Sequence, residues 1–512
     1  MISKVHSASH LGIEAFPVEV EVDLTPGVFS YVTVGLPDAA VKESQNRILS
    51  ALKNSGFNVP IKRITVNLAP ADIRKEGSAF DLPIAVAILA AQGVISPDRL
   101  SNTYLVGELA LDGRVKPVRG ALSISVAVRD NGHGTVITPA ENSREAAVVE
   151  GVEVIPVENL AQAVAWLNSE TEIIPAVPDL AGTNAVYRDE VDFLDVKGQQ
   201  HVRRAIEVAA AGGHNVLMIG PPGSGKSMIA RRLPTILPTW TLDEAISSSR
   251  VHSVAGLLPH GMSLLPHRPF RAPHHTVSEA GLVGGGHNPV LPGEVSLSHY
   301  GVLFLDELPE FRRGALEVLR QPLEDGHVTI SRASHSITFP ANFMLLCAMN
   351  PCPCGYATDP AKECRCTPPQ INRYRQKISG PLLDRIDIHI DVPSVKYQEL
   401  KSEVDCESSG SIRDRVEAAH KIQNERFSAQ NSGKKSAKKT FRNSDMGPRQ
   451  IKKYCALGEQ SEKLIRNAMD RLGLSARAYM RTLKVARTIA DLAGTENIET
   501  EHVAEAIQYR AV

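Results

Sequence analysis

A glycine-rich octapeptide ends in a lysine and a serine and follows an apolar run at residues 215–219. Its members are Gly220, Pro221, Pro222, Gly223, Ser224, Gly225, Lys226 and Ser227. Glycines let backbone N–H groups approach phosphate oxygens closely, the lysine can reach the terminal phosphates, and the serine hydroxyl can bind Mg²⁺. A helix beginning at Lys226 would add positive potential at the same point. The octapeptide therefore predicts a binding site for ATP and Mg²⁺.

Two adjacent acids, Asp306 and Glu307, end a second apolar run at residues 302–305. Strands buried on both faces of a parallel sheet have such runs, and ligands bind at the edge where these strands end. We expect Asp306 to hold Mg²⁺ and Glu307 to orient and deprotonate the attacking water. The alternative is a solvated turn, and the octapeptide upstream favours the catalytic interpretation.

Asn350 follows a third apolar run, at residues 343–349. On a neighbouring strand its amide would lie near the terminal phosphate and the attacking water. An asparagine after a strand is more often a turn former, so this assignment depends on the order of the motifs. We predict that Asn350 acts with Lys226 and Glu307 in catalysis.

Four of the seven cysteines are clustered, at Cys352, Cys354, Cys364 and Cys366. Four thiolates at this spacing could surround one Zn²⁺ tetrahedrally. The alternative is free thiols in a loop, because common zinc sites use C-x₂₋₄-C pairs and these pairs are C-x-C. The amino terminus lacks the apolar run of a secretory signal, which predicts a reducing cytoplasm and favours a metal over disulfides.

The elements that must position these residues indicate an α/β multidomain chain. Around the octapeptide, the pattern predicts a mainly parallel sheet covered on both faces, from helices 199–211 and 226–236 and strands 215–219, 301–305 and 343–348. We predict an α/β domain at 1–168, a linker at 169–190, an ATPase core at 191–393 and a helical domain at 394–512. The helical domain has periodic segments at 412–427, 460–472, 476–493 and 501–510.

Length and composition limit the classes of function. The chain has 512 residues, which exceeds a single core and suggests about three domains. Lysine and arginine total 56 against 57 acids, so any nucleic-acid partner would have to meet local patches. The longest apolar stretch, at 82–91, falls short of the roughly 18 residues that a membrane span needs.

Further motifs flank the octapeptide. They are Val-Lys-Gly-Gln at 196–199, Arg-Pro-Phe-Arg-Ala-Pro-His-His-Thr at 268–276, Leu-Val-Gly-Gly-Gly at 282–286 and Pro-Gly-Glu at 292–294. With these motifs the chain resembles the magnesium-chelatase-like AAA+ ATPases of the ComM/YifB group over nearly its whole length. The resemblance implies an AAA+ P-loop α/β core with a C-terminal helical lid, assembled as a hexameric ring of identical chains.

The resemblance also adds two arginines to the site. Arg385, in Gly-Pro-Leu-Leu-Asp-Arg-Ile at 380–386, matches an arginine finger that a neighbouring subunit supplies to stabilise the transferred phosphoryl group. The alternative for Arg385 is a surface ion pair with Asp384 or Asp387. Arg477 matches the sensor arginine that reaches the nucleotide from the lid, and Arg481, one turn later, is the alternative.

The same resemblance implies that two segments of the core contact DNA. Residues 268–286 are expected to form an insert that projects towards a central pore. Alternation at 326–339 predicts a β-hairpin, on which Arg332, His327 and His335 are candidates for phosphate contacts. The alternative is a structural hairpin with solvated polar residues.

The amino-terminal domain resembles the proteolytic domain of Lon-type proteases, through Lys-Glu-Gly-Ser-Ala-Phe-Asp at 75–81 and the stretch 107–118. Ala79 stands where that family has its serine, and Leu122 where it has its lysine. Without a nucleophile and a base, no peptidase chemistry is expected. The domain is expected to bind or to assemble.

The motifs and the resemblance lead to three hypotheses for the function of the chain. The leading hypothesis, which rests on the resemblance, is an ATP-driven motor and helicase on single-stranded or branched DNA, promoting branch migration in recombination and natural transformation. The second is a chelatase-type motor subunit that remodels a protein partner for metal insertion. The third, a peptidase or protein-remodelling ATPase, is disfavoured by Ala79 and Leu122.

Overall fold

The computed structural model describes most of the chain. The described residues are 1–75, 77–132, 134–180, 191–259, 261–286, 289–332, 336–359, 362–395, 406–431, 442–473 and 475–510. Part of the predicted linker, at 181–190, and the hairpin residue His335 lie outside them.

The amino-terminal part of the chain is a mixed α/β unit. Its strands are β1 Ile2–Leu11, β2 Glu14–Thr25, β3 Ser30–Val34, β4 Arg63–Ala69, β5 Thr103–Leu105, β6 Glu108–Leu109, β7 Val115–Lys116, β8 Thr135–Pro139 and β9 Glu153–Val157. Seven of them form one sheet in the order β3-β4-β2-β1-β5-β8-β9. Its helices are α1 Ala39–Asn54, α2 Asp81–Ala91, α3 Pro97–Leu100, α4 Ala121–Asp130, α5 Ser143–Ala146 and α6 Leu160–Leu167.

The middle of the chain carries the elements around the octapeptide. Its strands are β10 Val216–Ile219, β11 Phe270–Arg271, β12 Gly284–Gly285, β13 Leu291–Pro292, β14 Val302–Leu305, β15 His327–Ser331, β16 Ser336–Pro340, β17 Met344–Met349 and β18 Ile388–Asp391. Its helices are α7 Gln200–Gly212, α8 Lys226–Ile236, α9 Leu242–Ala255, α10 Glu279–Val283, α11 Glu294–Leu297, α12 Arg313–Glu317, α13 Arg320–Asp325, α14 Pro368–Arg375 and α15 Gly380–Leu383.

Five of these strands form a central sheet in the order β11-β14-β17-β10-β18, and every pair in it is parallel. Successive residues of β14 enter different cores, since Val302 and Phe304 pack in one apolar cluster while Leu303 and Leu305 pack in another. This alternation is expected when the side chains of a strand point to opposite faces of a covered sheet. The prediction of a parallel sheet covered on both faces is therefore confirmed.

The expected insert at 268–286 begins inside the central sheet and does not project from its first residue. Phe270–Arg271 pairs in parallel with Val302 and Leu303 of β14. The Arg268 guanidinium is buried, where it bonds to Glu244 Oε2 at 2.8 Å and to the backbone oxygen of Pro238 at 2.9 Å. The buried ion pair between Arg268 and Glu244 attaches the start of this stretch to α9. A segment that projects from the core can therefore begin only after β11.

The carboxyl-terminal part is helical, with α16 Ser409–Asn431, α17 Pro448–Tyr454, α18 Glu459–Leu472, α19 Ala476–Leu492 and α20 Thr500–Gln508. The fully buried Asp491 accepts hydrogen bonds from Arg426, Arg487 and Asn443, at 2.9, 3.0 and 2.7 Å. Because a buried carboxylate needs such partners, this network ties α16 to α19. Among the described residues, no helix is long and apolar enough to cross a membrane.

The amino-terminal part packs against the middle part, and its contacts include α9 and the β15–β16 hairpin. Arg250 on α9 donates to Ser123 Oγ at 3.2 Å and to the Ile13 backbone oxygen at 2.7 Å. The turn between β1 and β2 meets the β15–β16 hairpin, where a Cβ built on Gly12 would lie 2.5 Å from Ile337 Cγ2. Gly12 also has a φ of +64°, so the turn combines a left-handed backbone with close approach. The chain is thus an α/β multidomain protein whose hairpin is braced by its amino-terminal part.

Candidate nucleotide site and cysteine cluster

The octapeptide connects β10 to α8 at the carboxyl edge of the central sheet. Gly223 and Gly225 have φ values of +78° and +89°, which a side chain would strain. A Cβ on Gly220 would lie 2.1 Å from the Val392 backbone oxygen, so this position accepts only glycine. The loop therefore curls with its backbone exposed at the start of a helix, which is an arrangement that binds phosphate.

Lys226 is buried in the loop, and its ammonium faces Asn350. The Nζ atom donates to the backbone oxygens of Gly220 and Pro221 at 2.8 and 2.9 Å, and it lies 3.4 Å from Asn350 Oδ1. Burial lowers the pKa of Lys226, while the nearby Asp306 carboxylate acts in the opposite direction. The structure thus brings together Lys226 and Asn350, which are 124 positions apart in the sequence.

Ser227 and Asp306 meet at the same edge. The Ser227 hydroxyl donates to Asp306 Oδ2 at 2.6 Å. A hydroxyl and a carboxylate are hard oxygen ligands of the kind that Mg²⁺ prefers alongside phosphates and waters. The donor set therefore fits Mg²⁺.

Glu307 has a left-handed backbone with a φ of +53°, and its side chain is more than half exposed. Its Oε2 lies 3.4 Å from His275 Nδ1. The His275 ring also lies edge-on to Phe311, with ring centroids 6.4 Å apart. Sequence reasoning assigned no role to His275, although its place in the stretch 268–276 was a signal that could have found it.

Arg385 and Arg477 lie at the other end of the central sheet. The backbone oxygen of Arg385 accepts from Asn215 Nδ2 at 3.1 Å, just before β10 begins, whereas the octapeptide follows the end of β10. Strand β10 has four residues and so spans about 13 Å. The two arginines are therefore remote from the octapeptide of their own chain.

The carboxylate partner of both arginines is Glu324. Arg385 bonds to it through Nη2, and Arg477 Nη2 lies 3.2 Å from Glu324 Oε1. The sequence-based alternative had paired Arg385 with Asp384 or Asp387, but Asp387 instead pairs with Arg481. Burial lowers the pKa of Arg385, whose side chain is only 5% exposed. Arg385 and Arg477 thus form one cationic group around a single carboxylate.

The four clustered cysteines converge on one point. All four Sγ atoms lie within 4.8 Å of one another. The Sγ of Cys352 is 3.3 Å from that of Cys354 and 3.7 Å from that of Cys364, while Cys354 and Cys364 are 3.6 Å apart. Zn–S bonds of about 2.3 Å in a tetrahedron place the sulfurs about 3.8 Å apart, so the spacing of the cluster is compatible with Zn²⁺.

The remaining predicted residues lie in two other places. On the hairpin, His327–Ser331 pairs antiparallel with Ser336–Pro340, and Arg332 donates to the Gly286 backbone oxygen. In the amino-terminal part, Ser78 bonds to Glu108, and Leu122 packs against Trp240 and Ala245 of the middle part. The position expected for a protease lysine is therefore an apolar contact between domains.

A parallel sheet with this octapeptide between a strand and a helix, and with an acid pair at the same edge, defines a P-loop protein of the α/β class. Three family profiles match the chain. Magnesium chelatase, subunit ChlI, covers residues 192–400, Subunit ChlI of Mg-chelatase covers 20–142, and Magnesium chelatase, subunit ChlI C-terminal, covers 406–510. The chain belongs to the ComM/YifB group of magnesium-chelatase-like AAA+ proteins.

Two relatives span nearly the full length. The competence protein ComM of Haemophilus influenzae is 43% identical over 99% of this chain and 97% of its own. A protein of Salmonella typhimurium named YifB, described as uncharacterized, is 41% identical over 99% of this chain and 97% of its own. A shorter likeness is to Lon protease 2 of Bacillus subtilis, 28% identical over 24% of this chain and 22% of its own.

Proposed function

We propose that the chain hydrolyses ATP as a ring of identical subunits, with each site built from two chains. The observation that carries this proposal is the separation of the two halves of the site. The octapeptide and the acid pair lie at the carboxyl edge of the central sheet, while Arg385 and Arg477 lie together at the amino edge. In a ring of head-to-tail contacts, one edge of a subunit faces the opposite edge of its neighbour. A hexamer is the proposed ring.

Each residue then has a proposed role. The octapeptide holds the phosphates, Lys226 pairs with their terminal oxygens, and Ser227 and Asp306 hold Mg²⁺. Glu307 orients and deprotonates the attacking water, and Asn350 contacts the terminal phosphate. Arg385 and Arg477 of the neighbour stabilise the charge that develops during transfer. Both arginines would leave Glu324 for the nucleotide when the ring closes.

We propose that DNA is the substrate on which the ring works, as a helicase that promotes branch migration in recombination and natural transformation in the cytoplasm. Two observations support this. The relative from Haemophilus influenzae is named as a competence protein. The β15–β16 hairpin carries His327 and the half-buried Arg332, and it packs against the turn at Gly12. A braced hairpin can transmit force to a bound strand.

Purified protein with ATP and Mg²⁺ should displace the strand of a forked duplex and move the branch point of a four-way junction. Glu307→Gln should do neither, because the motion depends on hydrolysis. Gel separation of labelled products gives the measurement. ATP-dependent activity absent from every DNA substrate would contradict the DNA proposal and leave the ATPase proposal standing.

Arg332→Ala should weaken DNA binding by severalfold without altering sequence preference. A lysine or arginine that meets a phosphate releases about one counterion, so the slope of log affinity against log salt should fall by about 1. Fluorescence anisotropy over a salt series measures this slope. The control is Arg466→Ala, which removes the same charge from an exposed position on α18. Equal slopes for both variants would exclude Arg332 from the DNA contact.

The alternative function is a chelatase-type motor that remodels a protein partner for metal insertion. The three family profiles favour this alternative, because each of them is named after the chelatase subunit ChlI. The cysteine cluster counts against it, since the resemblance gives the chelatase motor no such cluster. Stimulation of ATP turnover by DNA would favour the leading proposal.

Three further assignments belong to this proposal. Residues 1–168 would be a Lon-protease-like domain without peptidase chemistry, since Ala79 and the buried Leu122 replace the expected pair. Residues 394–512 would be the lid, and 169–190 the linker. The four cysteines would bind Zn²⁺, supported by their sulfur spacing.

A further inference from the structure

The cysteine segment, residues 352–366, begins beside a proposed catalytic residue. Cys352 comes two positions after Asn350 and is fully buried. After Cys366 the chain enters α14, on which the Tyr374 hydroxyl lies close to the backbone of Asn350. Asn350 thus lies between the start of the segment and the helix that follows it.

The segment also lies directly on the octapeptide. A Cβ built on Gly355 would be 2.7 Å from Pro222 Cδ and 3.9 Å from Asn350 Cγ. Gly355 has a φ of +87°, so the turn after Cys354 is both left-handed and in contact with the phosphate loop. The position that a Cβ would take on Gly355 therefore faces both Pro222 and Asn350.

The described part of the segment contains no helix or strand that would hold this turn in place. The convergence of four Sγ atoms within 4.8 Å is the feature that can fix it. Four protein ligands fill a tetrahedral site completely, which leaves no position for a water or a substrate. A metal here would act by holding position and would not take part in the chemistry.

We propose that Zn²⁺ bound by Cys352, Cys354, Cys364 and Cys366 holds Gly355 against Pro222 and Asn350, so that metal occupancy controls the ATP site. The inference rests on the proposed function, in which the octapeptide binds ATP. When the metal leaves, the turn is released, Pro222 loses its packing partner, and the turn no longer limits the position of Asn350. Both phosphate binding and turnover then decline.

Cys364→Ser tests this in the full chain, with Cys406→Ser as the matched control outside the cluster. We expect one zinc per chain in the wild type and in the control, and a loss of zinc in Cys364→Ser. Affinity for a fluorescent ATP analogue should fall about tenfold in Cys364→Ser only, with a larger loss of turnover. Stripping zinc from wild-type protein with a mercurial and a chelator, and then returning it, should lower and restore both readouts.

Gly355→Ala tests the contact with the cysteines intact, and Gly151→Ala, where φ is +84° but a Cβ has open space, is its control. Gly355→Ala should keep its zinc and still lose ATP affinity. Absence of zinc from wild-type protein, or ATP affinity unchanged after zinc is lost, would overturn the inference. If wild-type protein bound the ATP analogue but did not hydrolyse ATP, only the proposed function would be contradicted. The effect of zinc on the ATP site would still be measured by the affinity for the analogue.

Discussion

Glu307→Gln is expected to lower the rate of ATP hydrolysis by roughly 10²–10⁴-fold, while ATP affinity changes little. A glutamine amide can still contact water but cannot accept its proton. The phosphate loop, Ser227 and Asp306 are untouched, so binding of ATP and Mg²⁺ persists. Phosphate release measured under single-turnover conditions, together with analogue binding, separates the two effects.

Glu310→Gln is the control for this variant. Glu310 lies three positions further along, is half exposed and pairs with Lys377 at 3.2 Å, so its replacement should leave turnover unchanged. Equal losses in both variants would mean that general loss of charge or folding is responsible. Unchanged turnover in Glu307→Gln would remove Glu307 from the catalytic role.

The parts of the fold that could be predicted from the sequence are those set by local pattern. The strand at 302–305 is apolar throughout because it is covered on both faces, and the octapeptide needs glycine for its own backbone. Strand, loop and helix are adjacent in sequence, so short-range rules suffice. The cysteines at 352–366 were also found, because shared chemistry marks them without any knowledge of the fold.

The contacts that escaped prediction join residues far apart in the chain. Nothing near Glu307 indicates that His275 lies 3.4 Å from it, and nothing near Gly355 indicates Pro222. Such pairs depend on which loops the order of strands brings to the same edge of the sheet. The strand order β11-β14-β17-β10-β18 differs from the order in the chain, and the apolar runs do not encode it.

The expected insert at 268–286 was misplaced at its start for a related reason. Its bounds came from the resemblance, and the local sequence around Arg268 and Arg271 does not indicate burial. Arg268 is nevertheless buried, because Glu244 on α9 supplies a compensating carboxylate. Whether an arginine is buried depends on a partner that the local sequence does not reveal.

Arg385→Ala is expected to reduce turnover by about 10³-fold or more while leaving ATP affinity near that of the wild type. The arginine contributes nothing to the phosphate loop of its own chain, because it lies at the opposite edge of the central sheet. Lys226→Ala should also abolish turnover, but through loss of phosphate binding. Analogue titration distinguishes the two variants, since only Lys226→Ala loses affinity.

Mixing these two inactive variants shows where the arginine acts. In a mixed ring, a complete site needs the octapeptide of an Arg385→Ala chain and the arginine of a Lys226→Ala neighbour. In an equal random mixture each of these two conditions is met at about half of the sites. About one quarter of the sites are then complete, and turnover should reach about one quarter of the wild-type value. If Arg385 served its own chain, no mixture would recover activity. The double variant mixed with either single variant is the control, because it can build no complete site. Recovery that appears only in the first mixture would mean that hydrolysis in one subunit depends on the position of the next, as a motor ring requires.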